Sequence, residues 1–419
     1  MNHVRSAYFG PALTIALLCS ASLRAQVTTI TPSVTMGVGR DDNVFWLPTS
    51  VADRFWRVTP ALTIGVESPQ SAWLGTYNFD AEQYSTYQTL SNAQARRHGS
   101  IVGRIRSSPT TVVTLAGGYE SSVVPAELNA TTGLGFGRVS VWRWYASPEV
   151  KHQLTAKTAL DVIYQVSRDA FSSTDGLTTH AVDVTLSHQL EERHEARVKA
   201  LVRQYVVGGH NTGTSEGVLV GWKARLTPFT TWSAAAGPRF DSSSVQPEIE
   251  ASIVRRARTT DLALFVDRTQ TTAIGVVGFV DVQRILGTLD RRLPGRFTTS
   301  FQGGAYANTV GASRVTVYRA SATIVKGLVG GVAVSAAYGL DFQNGFLGVA
   351  LPVTTALADV PPLGGPLPSQ PSGWVHRNLF LIRVVIAPER RTRTETPEGQ
   401  PPPLELPPQG ITPLDRSGR

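Results

Sequence analysis

The sequence predicts an all-β protein, a transmembrane antiparallel up-and-down β-barrel of about 18 strands, with 16 strands as the alternative. Apolar and polar residues alternate along most of the chain in stretches of about ten to fourteen residues. Tight turns recur about every 35 to 40 residues, which is the length of a hairpin and its loop. Charged residues make up only 17% of the 419 residues, and the single cysteine excludes a disulfide framework.

The first 25 residues have the features of a secretory signal peptide. Met1–Arg5 is a short basic start, Ala12–Leu18 is apolar, and Leu23–Ala25 ends on a small residue, as a cleavage site does. Cleavage before Gln26 removes Cys19, so the mature chain would contain no cysteine. A buried first helix is the alternative interpretation.

The region 26–387 carries the strand pattern. In one early segment Trp73, Tyr77 and Phe79 share one parity, while Thr76 and Asn78 hold the other. Because successive strand residues point to opposite faces, the pattern predicts one apolar face and one polar face. A soluble β-sandwich or propeller would need shorter strands or a recurring blade motif, and the sequence offers neither.

The connections between strands alternate in length. Short turns are predicted near Ser68-Pro69, Ser108-Pro109, His152-Gln153, Glu191-Glu192, Thr227-Pro228, Ala257-Arg258, Asp290-Arg291 and Gly327-Leu328. Longer or more polar connections are predicted at Ser85–Ala95, Val123–Phe136, Phe171–Gly176, Gly208–Gly213, Asp241–Ser244 and Gly345–Ser372. Short turns at one end and long loops at the other are typical of an outer-membrane barrel.

If the apolar parity faces lipid, the polar parity lines a lumen. The predicted lumen residues include a basic arc and an acidic arc. The basic arc comprises Arg197, Lys199, Arg203, Lys223, Arg225 and Arg239, and the acidic arc comprises Glu248, Glu250, Asp261, Asp267 and Asp281. Consecutive strands are neighbours in the wall, so the arcs should adjoin and bias the passage of charged or dipolar solutes. Alternatively, these groups simply pair across strands and fill space.

Other candidate chemistry is weak, and we expect no enzyme activity, no metal and no cofactor. Ser187-His188 with Asp183 invites a hydrolase interpretation, but neighbouring strand residues point to opposite faces. Asp41-Asp42-Asn43 could bind calcium, although three polar residues after a strand usually form a turn. The basic residues are scattered rather than clustered, which argues against nucleic acid as a partner.

Two segments depart from the barrel pattern. Gly345–Ser372 is long, apolar and proline-rich, and we expect it either to fold into the barrel mouth or to remain a surface loop. Residues 388–419 are proline-rich and charged, which predicts a poorly ordered periplasmic tail. Such a tail could dock a periplasmic export partner.

Four short motifs resemble the opening hairpins of a known barrel family. They are Thr31-Pro32-Ser33-Val34, Asp42-Asn43-Val44, Val58-Thr59-Pro60-Ala61-Leu62-Thr63 and Gly75-Thr76-Tyr77. The family comprises outer-membrane β-barrels encoded beside bacterial exopolysaccharide and exosortase systems. The resemblance implies polysaccharide export or a porin-like role. It covers about the first sixty mature residues, and the chain departs from outer-membrane barrels in general because a tail of about thirty residues follows Phe380 and Ile382.

These observations together predict a channel in the bacterial outer membrane that passes a hydrophilic solute, with polysaccharide export as the specific version. Its expected partners are outer-membrane lipid and either a small hydrophilic solute or a polysaccharide. A plugged structural or adhesive barrel is the first alternative, and an outer-membrane lipid hydrolase is the second.

Overall fold

A computed structural model describes residues 27–135, 137–171, 176–241, 244–276, 278–345 and 374–387. These residues form 18 strands and two single-turn 3-10 helices, at Gln88–Leu90 and Pro125–Glu127. The described part of the chain has no helix that is both long enough and apolar enough to cross a membrane. The strands are β1 Val27–Asp41, β2 Asp53–Glu67, β3 Ser71–Tyr84, β4 Asn92–Ser108, β5 Thr111–Ser122, β6 Val141–Gln153, β7 Thr158–Phe171, β8 Leu177–Glu191, β9 His194–Val207, β10 His210–Thr227, β11 Thr230–Asp241, β12 Val245–Arg256, β13 Thr260–Thr271, β14 Val280–Leu293, β15 Phe297–Val310, β16 Ser313–Gly327, β17 Val332–Asn344 and β18 Trp374–Ile386.

The sheet closes on itself. Each strand pairs antiparallel with its neighbour in sequence, and β1 also pairs with β18 from Val34↔Ile386 to Asp41↔Leu379. Closure gives every strand a partner on both sides, which is the condition for a sheet to cross lipid. The prediction of an antiparallel barrel of about 18 strands is confirmed.

Two of the predicted connections differ clearly from those in the structure. Asp290-Arg291 lies inside β14, and the turn comes at residues 294–296, where Gly295 and Arg296 have φ values of 76° and 63°. A polar pair at the end of a long strand resembles a turn in sequence, but the left-handed residues make the reversal. Gly208–Gly213 is not a long loop, because the turn consists of Gly208 and Gly209 alone and β10 begins at His210.

The outer surface of the barrel is apolar. On β10 the exposed Val218, Val220 and Trp222 alternate with inward Leu219 and Gly221. On β18 the exposed side chains are Phe380, Ile382, Val384 and Ile386. Apolar side chains exposed on a closed barrel form the surface that lipid covers.

The two ends of the barrel differ. The short-turn end has connections of two to four residues, such as 109–110, 192–193 and 328–331. The long-loop end includes 42–52, 123–140 and 272–279. All three clusters of buried hydrophobic residues include residues of these loops, so the packed interior lies toward the long-loop end.

Candidate functional site

One loop spans the barrel interior. This crossing loop, residues 123–140, leaves the wall after β5 and returns at β6. Leu134 is fully buried against Val282, Tyr306 and Val317, which belong to β14, β15 and β16. Because these strands lie far from β5 and β6 in the strand order, the loop reaches across the lumen rather than along the rim.

The far wall holds the crossing loop through its backbone. Asn308 Nδ2 on β15 donates to the Thr132 carbonyl at 2.8 Å. Arg319 Nη1 on β16 donates to the Ala126 carbonyl at 2.9 Å. On β17, Gln343 Oε1 accepts the Gly135 amide at 2.8 Å. These side chains satisfy backbone groups that would otherwise be buried without a partner.

The near wall holds the loop mainly through charge. Glu127 pairs with Arg96 of β4 and accepts the Ser122 hydroxyl at 2.7 Å. Burial alone would raise the pKa of the Glu127 carboxyl, but the Arg96 guanidinium beside it lowers that pKa to about 2. Arg143 of β6 donates to the Leu128 carbonyl at 2.9 Å, and Arg138 donates to the Tyr84 hydroxyl at 2.9 Å.

A second loop, residues 272–279, is hydrogen-bonded to the crossing loop through the Asn129 side chain. The Asn129 amide nitrogen donates to the carbonyls of Ile274 at 3.0 Å and Leu134 at 3.1 Å. Its oxygen accepts the Ile274 amide at 2.8 Å. One buried asparagine side chain therefore fixes both loops.

The third loop, residues 42–52, contributes Trp46. Its side chain packs with Val124, Ala126 and Val375, and the Arg377 guanidinium lies 5.5 Å from the ring centroid. A Cβ at Gly135 would lie 1.9 Å from Trp46 Cζ2, so only glycine fits there. Arg377 in turn pairs with Asp41 at 2.6 Å, which joins the first strand to the last.

The charged residues of the two arcs contact each other. Lys199 Nζ lies 2.8 Å from Glu250 Oε1 and 3.4 Å from Asp183 Oδ2. Arg203 donates to Glu248 at 2.6 Å. Arg239 lies 3.5 Å from the same carboxylate and also pairs with Asp281. We name Asp183, Lys199, Arg203, Arg239, Glu248, Glu250 and Asp281 the charge ladder.

Small residues on the intervening strands make this reach possible. Between β9 and β12 the inward positions include Gly217 and Gly221 of β10 and Ala235 and Gly237 of β11. A Cβ at Gly237 would lie 1.8 Å from the Val218 carbonyl oxygen, so the two strands approach too closely for any side chain. The long basic side chains of β9 pass over these glycine and alanine positions and reach the carboxylates of β12.

The remaining arc residues lie elsewhere on the wall. Asp267 pairs with Arg284 at 2.7 Å, and Arg197 pairs with Glu195 at 2.7 Å. Lys223 lies opposite Glu195 in the strand register, while Arg225 and Asp261 are exposed near the short-turn end. Asp281 has the parity of the exposed Gln283 and Ile285 on β14, yet its carboxylate reaches Arg239.

The hydrolase candidates are not assembled. Asp183 pairs with Lys199 on the inner face, whereas the His188 ring contacts the Thr158 hydroxyl at 2.9 Å. Asp41-Asp42-Asn43 forms a turn in which the Asn43 amide donates to Asp41 Oδ1 at 3.0 Å. Among the described residues no group of three or more His, Cys, Asp or Glu could hold a metal ion.

The sequence interpretation missed the crossing loop as a lumen element. It considered Gly345–Ser372 for that role, with a surface loop as the alternative, and residues 346–372 lie outside the described part of the chain. The sequence does contain a pattern that indicates a packed loop. Glycine occupies every second position at Gly133, Gly135 and Gly137, around Leu134, and an exposed loop does not require such regular small residues. Glycine at such positions indicates close packing against another element.

The barrel is that of a bacterial outer-membrane protein. An even number of antiparallel strands, closure and an apolar exterior are together the architecture of such proteins. No family model and no curated protein sequence matches the chain.

Solved structures with a similar fold include a BenF-like porin from Pseudomonas fluorescens Pf-5, which is 7% identical. That match covers 86% of this chain and 98% of the porin, with a TM-score of 0.44. OpdL from Pseudomonas aeruginosa is 9% identical over 86% of this chain and 99% of its own, with a TM-score of 0.42. An anion-selective porin from Comamonas acidovorans is 10% identical over 87% and 100%, with a TM-score of 0.34. Likenesses this remote carry no argument about function.

Proposed function

We propose that the protein is an outer-membrane channel for hydrophilic solutes in which the crossing loop, residues 123–140, forms the constriction. The observation that supports it most is the accessibility of the charge ladder. Side chains of Lys199, Asp183 and Glu250 retain 19%, 21% and 21% of their accessible surface, although they face the barrel interior. Partly exposed ion pairs inside a barrel indicate a water-filled space rather than a dry core.

We place the constriction at the crossing loop because, within the described ranges, it is the loop that links both walls. Its far anchors are single hydrogen bonds to backbone carbonyls and an amide, and its near anchors include the Glu127–Arg96 pair. A loop held by side-chain contacts opens at lower free energy than the barrel wall, whose strands are joined by continuous ladders of backbone hydrogen bonds. The ladder has three basic and four acidic residues, and charges so nearly balanced favour small polar solutes of either sign over one strongly selected ion.

Single-channel conductance in a planar bilayer tests this function. Asn129→Ala removes the contacts that hold the crossing loop to residues 272–279. We expect larger or more frequent openings than in the wild-type protein, and larger still when residues 126–136 are replaced by a short Gly-Ser linker. The matched control is Asn211→Ala, an exposed asparagine in the β9–β10 hairpin that bonds only locally.

Absence of conductance would contradict the proposal. If no variant conducts, including the linker replacement, while every protein migrates as a folded heat-modifiable barrel, the channel function is wrong. The observation that favours this second candidate, a sealed structural barrel, is the number of contacts holding the crossing loop. Polysaccharide export is the narrower proposal, and channel blockade that lengthens with oligosaccharide length would support it.

A further inference from the structure

Two arginines face each other on the outside of the barrel. Arg40 on β1 and Arg54 on β2 are directly opposite in register, and both side chains are exposed. Like charges directly opposite on one face of an antiparallel pair are destabilising. Neither guanidinium has an ion pair or a side-chain hydrogen bond within the described ranges.

The acidic groups near this pair are already engaged. Asp42, two residues after Arg40, accepts hydrogen bonds from the Asn378 amide at 2.6 Å and the Asn378 side chain at 2.5 Å. Asp53, next to Arg54, is buried and accepts the backbone amides of Arg54, Thr86 and Tyr87. The two guanidinium groups are thus left facing outward with no carboxylate assigned to them.

A groove of about 340 Å³ lies at the same place, lined by both arginines together with Val38, Trp56, Ser85 and Phe380. The apolar members are strongly exposed: Val38 is 60%, Trp56 48% and Phe380 45% accessible. A recess with two cationic donors above an apolar floor matches an anionic amphiphile.

The rows of paired residues across β18, β1 and β2 show which end of the groove is charged and which end is apolar. Phe380, Arg40 and Arg54 form one row across β18, β1 and β2. The next outward row toward the short-turn end is Ile382, Val38 and Trp56, and the one after that is Val384, Met36 and Val58. Charge therefore lies at the long-loop rim, and an uninterrupted apolar strip runs below it into the lipid-covered belt.

We propose that this groove binds the phosphorylated lipid A of the outer leaflet, with its phosphate between Arg40 and Arg54 and an acyl chain along Val38 and Trp56. The proposal rests on the outer-membrane placement, which puts the long-loop end outside, where that lipid forms the leaflet. Arginine is suited to the role because its planar fork donates two hydrogen bonds to one phosphate.

Native mass spectrometry of the full-length protein in detergent tests the site, with diphosphoryl lipid A as the added probe. We expect Arg40→Gln/Arg54→Gln to bind about tenfold more weakly than the wild type. The charge-matched control is Arg255→Gln/Arg291→Gln, a pair of exposed outward arginines at the opposite rim, which should bind like the wild type. Lipid A with brominated acyl chains should also quench a component of tryptophan emission that Trp56→Phe removes.

Three results would overturn the proposal: equal binding by both double variants, equal binding of dephosphorylated lipid A, or equal binding of phosphatidylglycerol at this site. A heat-modifiable gel shift shows that each variant is folded. Conductance of Arg40→Gln/Arg54→Gln should match the wild type. Failure of lipid binding with normal conductance therefore removes the lipid site alone, and lipid binding without any conductance removes the channel function alone.

Discussion

At the residue scale, Trp46 is held in an unfavourable state. Its φ is 57°, a left-handed conformation that costs about 1–2 kcal/mol for a residue with a Cβ. Its indole N–H is buried without a hydrogen-bond partner in the described part of the chain, which costs about 1–3 kcal/mol more. Packing on Gly135 and the Arg377 guanidinium offset these costs. A strained backbone conformation of this kind persists only where the surrounding packing fixes it, which here is the contact between the 42–52 loop and the crossing loop.

Gly135→Ala should displace Trp46, because the new Cβ would lie 1.9 Å from Cζ2 and 2.0 Å from Cε2 of the ring. We expect a red shift of Trp46 emission and a loss of about 1–3 kcal/mol in loop docking. The measurement is the difference spectrum against the same variant carrying Trp46→Phe, since the chain has 8 tryptophans.

Gly137→Ala is the matched control, because its nearest neighbour would be the Phe45 carbonyl oxygen at an ordinary 3.6 Å. Its emission should stay that of the wild type. Identical spectra for the two alanine variants would contradict the packing described for Trp46.

At the element scale, the crossing loop is fastened by groups of different chemistry on its two sides. On the far side the Asn308 and Gln343 amides and the Arg319 guanidinium hold it, and none of these groups titrates in acid. On the near side the Glu127–Arg96 pair holds it to β4. Among these contacts, the Glu127–Arg96 ion pair is the one that responds to acid pH, because the Glu127 carboxyl can be protonated. The pKa of Glu127 is lowered from an ordinary 4.5 to about 2, so its contribution is complete above pH 4.5 and is lost as the pH falls toward 2.

Acid should therefore release the loop within that pH range. We expect openings of the wild-type channel to increase between pH 4.5 and pH 2, and Glu127→Gln to show increased openings already at pH 7 with a weaker further response. Single-channel recording across a pH series measures this. Glu192→Gln, an exposed carboxylate in a short turn at the other end, is the control and should follow the wild type. Parallel pH curves for Glu127→Gln and the wild type would show that the pair does not fasten the loop.

At the scale of the whole molecule, the lumen is close to electrically balanced along the charge ladder. Lys199→Gln should leave Glu250 and Asp183 without their shared ammonium and shift the reversal potential toward cations. Glu250→Gln should shift it toward anions, since Lys199 then keeps only Asp183. Lys157→Gln, in the exposed β6–β7 turn, should leave the reversal potential unchanged. Coincident reversal potentials for all three variants would mean that the ladder does not face the conducting path.

The sequence alone was enough to predict the strands of the barrel, but it was not enough to predict the contacts inside the barrel. Period-two alternation predicts strands because it reflects the local geometry of one residue and its neighbour, as at Val218, Val220 and Trp222. Parity also placed Lys199 and Glu250 on the inner face. The contact between them could not be predicted, because it depends on glycine and alanine on two other strands. The crossing loop depends on partners such as Asn308 and Gln343, which no local pattern connects with Thr132 or Gly135.

Those partners also set an order of assembly. The far anchors of the crossing loop are separated from it by 176, 193 and 208 residues along the chain. The crossing loop has nothing to dock on until β15, β16 and β17 are in place in the wall. Its seating therefore cannot precede the pairing of those three strands. We expect a barrel in assembly to pass through a stage in which most of the wall is formed and the crossing loop does not yet block the bore, so that arrest at that stage would leave a leak.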